Sequence, residues 1–299
     1  MTQGGGRGDT WRRARPRPEH DNLRLPMSPT VLVQVQAALR QENAGASQVA
    51  AILQSDPGLL ATVLRLVNSP YYGLPQRITR PTAAVAYLGL SEVLRVVVTA
   101  SILQAFGPTR HAALRPFWRH ATHTALIAQA LTRRFARWLA PITSWTLGLL
   151  HDLGALARLA TEPDEQLRIV NYSNDYRCLH EEAELALALM AATDIGRRLA
   201  LSWDLPPIFA LVLGDHRLGV PTLEASGDDV LHLQHVAAAA ALALVVSRPL
   251  RDDIRAVLCQ QVVDLLSLED DEELLALLDL ADELTPEAEQ ALAELIGAA

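Results

Sequence analysis

The chain has 299 residues, of which 50% are hydrophobic and only 5% aromatic, and its formal net charge is −8. That apolar share can bury one large core or two smaller ones, and because it is mostly Ala and Leu it favours helices over strands. The longest apolar run, Val236 to Val246, has 11 residues, too short to cross a membrane, and Met1 to His20 hold no apolar core of the signal-peptide kind. Cys178 and Cys259 are far apart and read as free thiols of a reducing compartment. The expectation is a cytoplasmic protein with no membrane contact.

Charge is unevenly placed. All 26 basic residues are Arg, a replacement so uniform that it reflects base composition rather than function. Residues 1–21 carry Arg7, Arg12, Arg13, Arg15 and Arg17 among Gly4-Gly5-Gly6, Pro16 and Pro18, and read as a disordered arm. Its plain reading is a solvated tail, and its sharper one is a contact for nucleic acid or an acidic surface. From Ala256 onward there are 12 acidic residues and no basic one, which argues against a nucleic-acid-binding body.

Helical apolar spacing dominates along the chain. Asp56-Pro57 opens a helix with Leu59-Leu60, Val63-Leu64 and Val67 on one side, ending at Asn68-Ser69-Pro70 before a Pro- and Gly-rich loop at Tyr71-Tyr72-Gly73. Pro81 opens the next helix and Gly89 breaks it. Gly107-Pro108 is the first boundary between lobes. A long amphipathic helix from Pro116 to Leu139 carries His120 and His123, and a second from Ile142 to Ala160 carries His151-Asp152. Helices then follow over about 163–173, 179–190 and 193–203, and another ends at Asp215-His216. Val230 to Val246 reads as a closely packed Ala-rich helix, and two or three acidic amphipathic helices follow Pro249. This divides the chain into an arm (1–21), an N-terminal helical lobe (22–107), a second helical lobe (108–250) and an acidic helical extension (251–299), whose default reading is packing on the body.

His151-Asp152 is the most informative pair, because two good metal ligands inside an apolar helix are costly to bury without a partner. Antiparallel packing would bring His120 onto the same centre, and Asp215-His216 could lean in from a later helix. A hard or borderline ion needs a further carboxylate, and the helix best placed to supply one reads His235-Val236-Ala237-Ala238-Ala239-Ala240. The plainer readings are a mutually hydrogen-bonded His151-Asp152 pair joined by His120, a His216 that caps its helix, and satisfied core histidines at His232 and His235. His123 reads as a surface or helix-flank residue. Asn68 and Ser69 read as helix-terminating residues, or, with Tyr71 and Tyr72, as the lining of an interlobe pocket.

The stretches Leu25-Pro26, Ser55-Asp56-Pro57, Leu64-Arg65-Leu66-Val67-Asn68-Ser69, Ala84-Val85-Ala86-Tyr87-Leu88-Gly89, Phe117-Trp118-Arg119-His120, Leu150-His151-Asp152-Leu153-Gly154 and Trp203-Asp204-Leu205-Pro206 together resemble the HDOD family, a signalling branch related to HD and HD-GYP phosphohydrolases. The resemblance spans roughly residues 22–248. It implies an all-α fold, with a helical N-terminal lobe and an HD-like helical C-terminal lobe. It places His120, His151 and Asp152 where HD enzymes hold metal, but puts the last HD carboxylate near Ala238, a further His near Ala192, and one His where HD-GYP proteins pair two, at Asp215-His216. The expectation is a non-catalytic bacterial regulatory module with a vestigial network of His120, His151, Asp152 and His216. It would act on signalling proteins or as a homodimer, with room for a small nucleotide-like ligand between lobes. Two alternatives stay open: a metal-dependent phosphohydrolase with an altered shell, holding one divalent metal at His120, His151 and Asp152, and a protein that binds nucleic acid or a nucleotide through the Arg-rich arm or the cleft between lobes.

Overall fold

A computed structural model describes residues 57–68, 74–89 and 114–296 and the single positions 50, 53, 93, 97 and 100. The Arg-rich arm, Ser69, Tyr71 and Tyr72 lie outside the described residues. Every regular element among those described is a helix. In chain order these are α1 (Pro57–Val67), α2 (Pro81–Leu88), α3 (Leu114–Phe135), α4 (Pro141–Leu150), α5 (Leu153–Thr161), α6 (Pro163–Asp175) and α7 (His180–Ala186). They continue with α8 (Ala192–Ser202), α9 (Pro207–Asp215), α10 (Gly227–Ser247), α11 (Asp252–Leu266), α12 (Asp271–Glu283) and α13 (Thr285–Ile296).

Local chemistry explains the starts. Proline at the first helical turn opens α2, α4, α6 and α9, where its missing N–H would have had no partner anyway. Ser226 caps α10 by accepting the Asp229 N–H at 3.2 Å, and Asp270 caps α12 by accepting that of Glu273 at 2.9 Å. Among the described residues two hydrophobic cores result, one of residues between Leu53 and Ala100 and a larger one between Trp118 and Leu292. In the first, the Asn68 side chain donates to the carbonyls of Leu64 and Ile78 and accepts the Ile78 N–H at 2.7 Å, which ends α1 and fastens the following segment to it.

The second core is built around α3, which runs against α4 and α10 and is closed by α12 and α13. The acidic extension therefore packs on the body, with Leu277, Ala281 and Leu292 in the core. Thr122 and His123 on α3 reach it: His123 Nε2 donates to the Ala281 carbonyl at 2.7 Å. The expected surface position of His123 is thus corrected: it is buried, because the face of α3 that carries it is covered by α12. His232 and His235 are satisfied core histidines, bonded to Ser144 and Thr132. By length and composition α10 would suffice to cross a membrane, but 67% of its apolar window is buried inside the fold.

A second correction concerns the helix expected over Ile142–Ala160. It is two helices, α4 and α5, with His151 and Asp152 at the joint. Asp152, at φ −105 and ψ 27, leaves the α4 ladder, and its carbonyl accepts the Ala155 N–H at 2.9 Å to start α5. The bend swings α5 onto α8, where a Cβ on Gly154 would stand 1.9 Å from the Ala192 carbonyl oxygen. Only glycine permits this approach.

Candidate functional site: a buried histidine cluster

The joint between α4 and α5 puts His151 on the floor of the site. Its Nδ1 lies 2.6 Å from the Gly148 carbonyl and its Nε2 lies 3.3 Å from His120 Nε2. A carbonyl only accepts, so His151 carries its proton on Nδ1, and Nε2 of the neutral ring accepts from His120. His120 then holds a bare lone pair on Nδ1, and that buried atom has no partner. His216, just beyond α9, stacks edge-to-face on His151, with ring centroids 4.8 Å apart. Its Nδ1 donates to the Val212 carbonyl at 3.1 Å, so it caps its own helix.

Burial keeps these rings neutral. It brings His151 down to about 4 and holds His120 and His216 well below the usual imidazole range, each further depressed by a neighbouring histidine in the cases of His120 and His216. His180, at the start of α7, is kept neutral in the same way: burial first, then Arg248 and Arg217, lower it to about 4. Burial works in the opposite sense on Asp152, pushing it up to about 6 against the pull of Arg217.

Behind the histidines Glu184 ties three segments together. Its carboxylate accepts from Arg158 of α5 at 2.8 Å, from the Ala192 N–H that opens α8 at 2.9 Å, and from Arg217 at 2.8 Å. Arg158, only 1% exposed, also donates to the Met190 carbonyl. Burial alone would raise Glu184, but Arg217 and Arg158 outweigh it and hold the carboxyl below the usual range. Arg217 is raised in turn, with Glu184 and Glu181 overcoming the cost of its burial.

The structure brings His120, His151 and His216 together, as the sequence suggests, but not in the arrangement expected. His151 and Asp152 are not bonded to each other, and His120 pairs with His151 rather than Asp152: adjacent side chains at a helix joint diverge, and Asp152 Oδ1 is left buried without a partner. Asp215 does not lean in; it accepts from Arg197 at 2.6 Å and from the Thr222 N–H at 2.9 Å, fastening the loop after α9. Asn68 serves α1 and its loop, as described above. Arg158, Glu184 and Arg217 are members that the motif spacing did not reveal. The available signal was a charge inside an apolar helix, such as Arg158 in Leu156-Ala157-Arg158-Leu159, which burial would force to find a partner.

The donors do not fit a metal centre of the HD kind. Among the described residues no three His, Cys, Asp or Glu side chains are arranged to hold an ion. Ala192 and Ala238, where the family resemblance asks for further ligands, are both buried alanines. The Nε2 atoms of His120 and His151 already satisfy each other.

The HDOD domain family matches residues 25–217. An uncharacterised protein of Treponema pallidum (strain Nichols) is 24% identical over 198 residues, 65% of this chain and 38% of that protein, so the chain spans well under half of that relative's length. Three solved structures show the same fold. An HDOD domain protein of unknown function from Geobacter sulfurreducens has a TM-score of 0.69 at 24% identity, over 91% of this chain and 93% of that one. A proposed phosphohydrolase from Shewanella amazonensis SB2B has 0.67 at 22%, over 91% and 95%. A proposed signal transduction protein from Marinobacter aquaeolei VT8 has 0.68 at 19%, over 92% and 61%. With the family matched over most of its length and an all-helical architecture shared with these structures, the chain belongs to the HDOD family.

Proposed function

We propose that this HDOD domain is a non-catalytic regulatory module that works through contact with signalling proteins, with its histidine site serving as a small-ligand pocket rather than a hydrolytic centre. One observation carries the reading: the His120 and His151 Nε2 atoms face each other at 3.3 Å in a self-satisfied hydrogen bond, and among the described residues no third donor is arranged to complete a metal shell. Two-metal phosphoester hydrolysis needs bridging carboxylates that clamp the attacking and leaving oxygens, and alanine stands at the position where the resemblance asks for one. The fold can host a regulatory role without the chemistry, because function resides in the site and not the scaffold.

The test is metal content after gentle purification, together with turnover of cyclic dinucleotides in added Mn²⁺. The expected result is no stoichiometric metal and no hydrolysis. Hydrolysis that disappears in His151→Ala overturns the reading. The second reading, a one-metal phosphohydrolase, draws on the unpartnered Asp152 Oδ1 beside His151, and that same outcome would establish it.

A further inference from the structure

The turn between α3 and α4 carries charge and aromatic surface that the fold does not use. Ala136 donates its N–H to the Thr132 carbonyl at 3.0 Å and Leu139 donates to the Ala136 carbonyl at 2.9 Å, and both side chains are buried. Arg137 and Trp138, between these two anchors, are turned outward, and Trp138 is 70% exposed. One helical turn back stand Arg133 and Arg134, both exposed, with the Arg134 guanidinium 5.4 Å from the Phe135 ring centroid. Arg133 and Arg134 suit the negative end of α3, but that accounts for neither Arg137 nor the indole. Among the described residues none of the three arginines pairs with a carboxylate. The acids beside the indole are committed: Asp228 accepts from Trp138 Nε1 at 3.4 Å, and Asp229 accepts from Ser226 Oγ at 2.8 Å.

The inverse surface lies on α12. Leu277 and Ala281 bury its inner face. Asp271, Leu275, Asp279 and Asp282, spaced i, i+4, i+8 and i+11, form one exposed stripe on the opposite side, with Glu272 next to it. Leu275 is 59% exposed and has an acid one turn away in both directions. The acids of the first turn suit the N-terminus of α12, but Asp279 and Asp282 lie toward its other end, where the helix dipole disfavours them. Among the described residues no arginine pairs with these carboxylates.

An exposed tryptophan flanked by arginines and an exposed leucine flanked by carboxylates match in sign and in apolar centre, and Trp and Arg are the residue types that anchor interfaces. The two surfaces do not meet within one chain: both stand on helices fixed in the core, and no ion pair joins them. A second copy supplies the missing half of each at equal concentration. We propose that the chain self-associates through this contact, the tip formed by Arg133, Arg134, Arg137 and Trp138 of one copy docking on the acidic α12 stripe of another, with Trp138 against Leu275. The contact uses no residue of the histidine site and does not depend on how that site is read.

Sedimentation velocity of the full chain over a concentration series tests it. The average mass should rise with concentration at about 0.1 M salt, and the association should weaken about tenfold or more in 1 M salt, where the Debye length falls to about 3 Å. Trp138→Ala should weaken it about tenfold or more, as loss of a central anchor does. The deciding variants reverse charge: Arg133→Glu with Arg137→Glu, and Asp279→Arg with Asp282→Arg. Each pair alone should abolish self-association, and an equimolar mixture should restore it to within about threefold of wild type, because each tip then meets an α12 stripe of opposite sign. Each pair moves the net charge of −8 by four, so both variants stay net negative and bulk attraction does not produce the rescue. All four positions are exposed, where substitutions are well tolerated, and unaltered helical circular dichroism checks the fold. Should one pair fail to fold, the other pair and Trp138→Ala carry the same expectation. A chain that stays monomeric at about 100 μM, association indifferent to the reversals, or a mixture that fails to associate overturns the inference. Loss of association on deleting residues 1–21 also overturns it, since the Arg-rich arm would then be the occupant of α12.

Discussion

Two groups of buried histidines sit in the same core and are treated in opposite ways. His232 and His235 of α10 belong to a network that closes: Thr132 Oγ1 donates to the Ala128 carbonyl at 2.9 Å, so it accepts from Ser144 Oγ at 2.6 Å and from His235 Nδ1 at 2.9 Å, and Ser144 accepts from His232 Nδ1 at 2.7 Å. Every proton has one direction, and no buried polar atom of this network lacks a partner. The His120–His151–His216 group does not close. His120 Nδ1 and Asp152 Oδ1 are left over, two of the four buried side-chain atoms without a partner among the described residues. A complete network fixes helix packing, here of α3, α4 and α10, and an incomplete one is costly unless something else answers it. That contrast separates a closed histidine network from an open one, a distinction that sequence spacing does not draw.

Acid should erase both groups and gives the largest effect. Burial lowers His151, His180 and His235 to about 4, and lowers His120, His216 and His123 as well. A depressed folded-state pKa means the unfolded chain takes up protons first, so this stability is present above about pH 6.5 and is lost as pH falls through the folded-state values. Asp152, raised to about 6, has the opposite sign: its contribution is present below its unfolded value and lost as pH rises through about 6. Six groups outweigh one. The denaturant midpoint should fall steeply between about pH 6.5 and 4, by several kcal/mol in total at ~1.4 kcal/mol per pKa unit. A flat midpoint across that window would mean that the histidines are solvated.

Next in size is the joint between α4 and α5. Gly154→Ala should cost about 3 kcal/mol or more, because its methyl would meet backbone atoms of Ala192 and Gly196, which cannot give way as a side chain end can. Chemical unfolding measures it, and a loss below about 1 kcal/mol would show that α5 and α8 can separate.

The order of the helices was legible because the 3.6-residue spacing and the N-terminal prolines are local. The joint at His151-Asp152 was not, because the break comes from packing of Gly154 against α8 rather than from a proline or glycine at the break itself. His123 was misplaced for a related reason: amphipathic spacing shows which face of α3 is apolar but not that α12 covers another. Family resemblance located His120, His151 and His216. It could not show that Glu184 ties α5, α8 and the α9 end together, since that link joins Arg158, Ala192 and Arg217 across long stretches of chain.

The smallest expected effect is the most discriminating. Thr132→Val keeps the packing volume but strips the acceptor from Ser144 and His235, leaving two buried donors unpaired, so it should cost about 2–4 kcal/mol. His120→Leu removes a comparable polar group from the other region, yet it also removes an atom that has no partner. The donor it withdraws from His151 costs about 1–3 kcal/mol, and the buried lone pair it eliminates, with the apolar surface it adds, returns a similar amount. His120→Leu should therefore change stability by less than about 1 kcal/mol in chemical unfolding while abolishing any ligand response of the site. If it destabilises as much as Thr132→Val, the two histidine groups are equally structural and the site loses its claim to a separate role. If stability holds and binding goes, the open network is the working part of this domain, because a group that contributes nothing to the fold has no other physical reason to occupy the core.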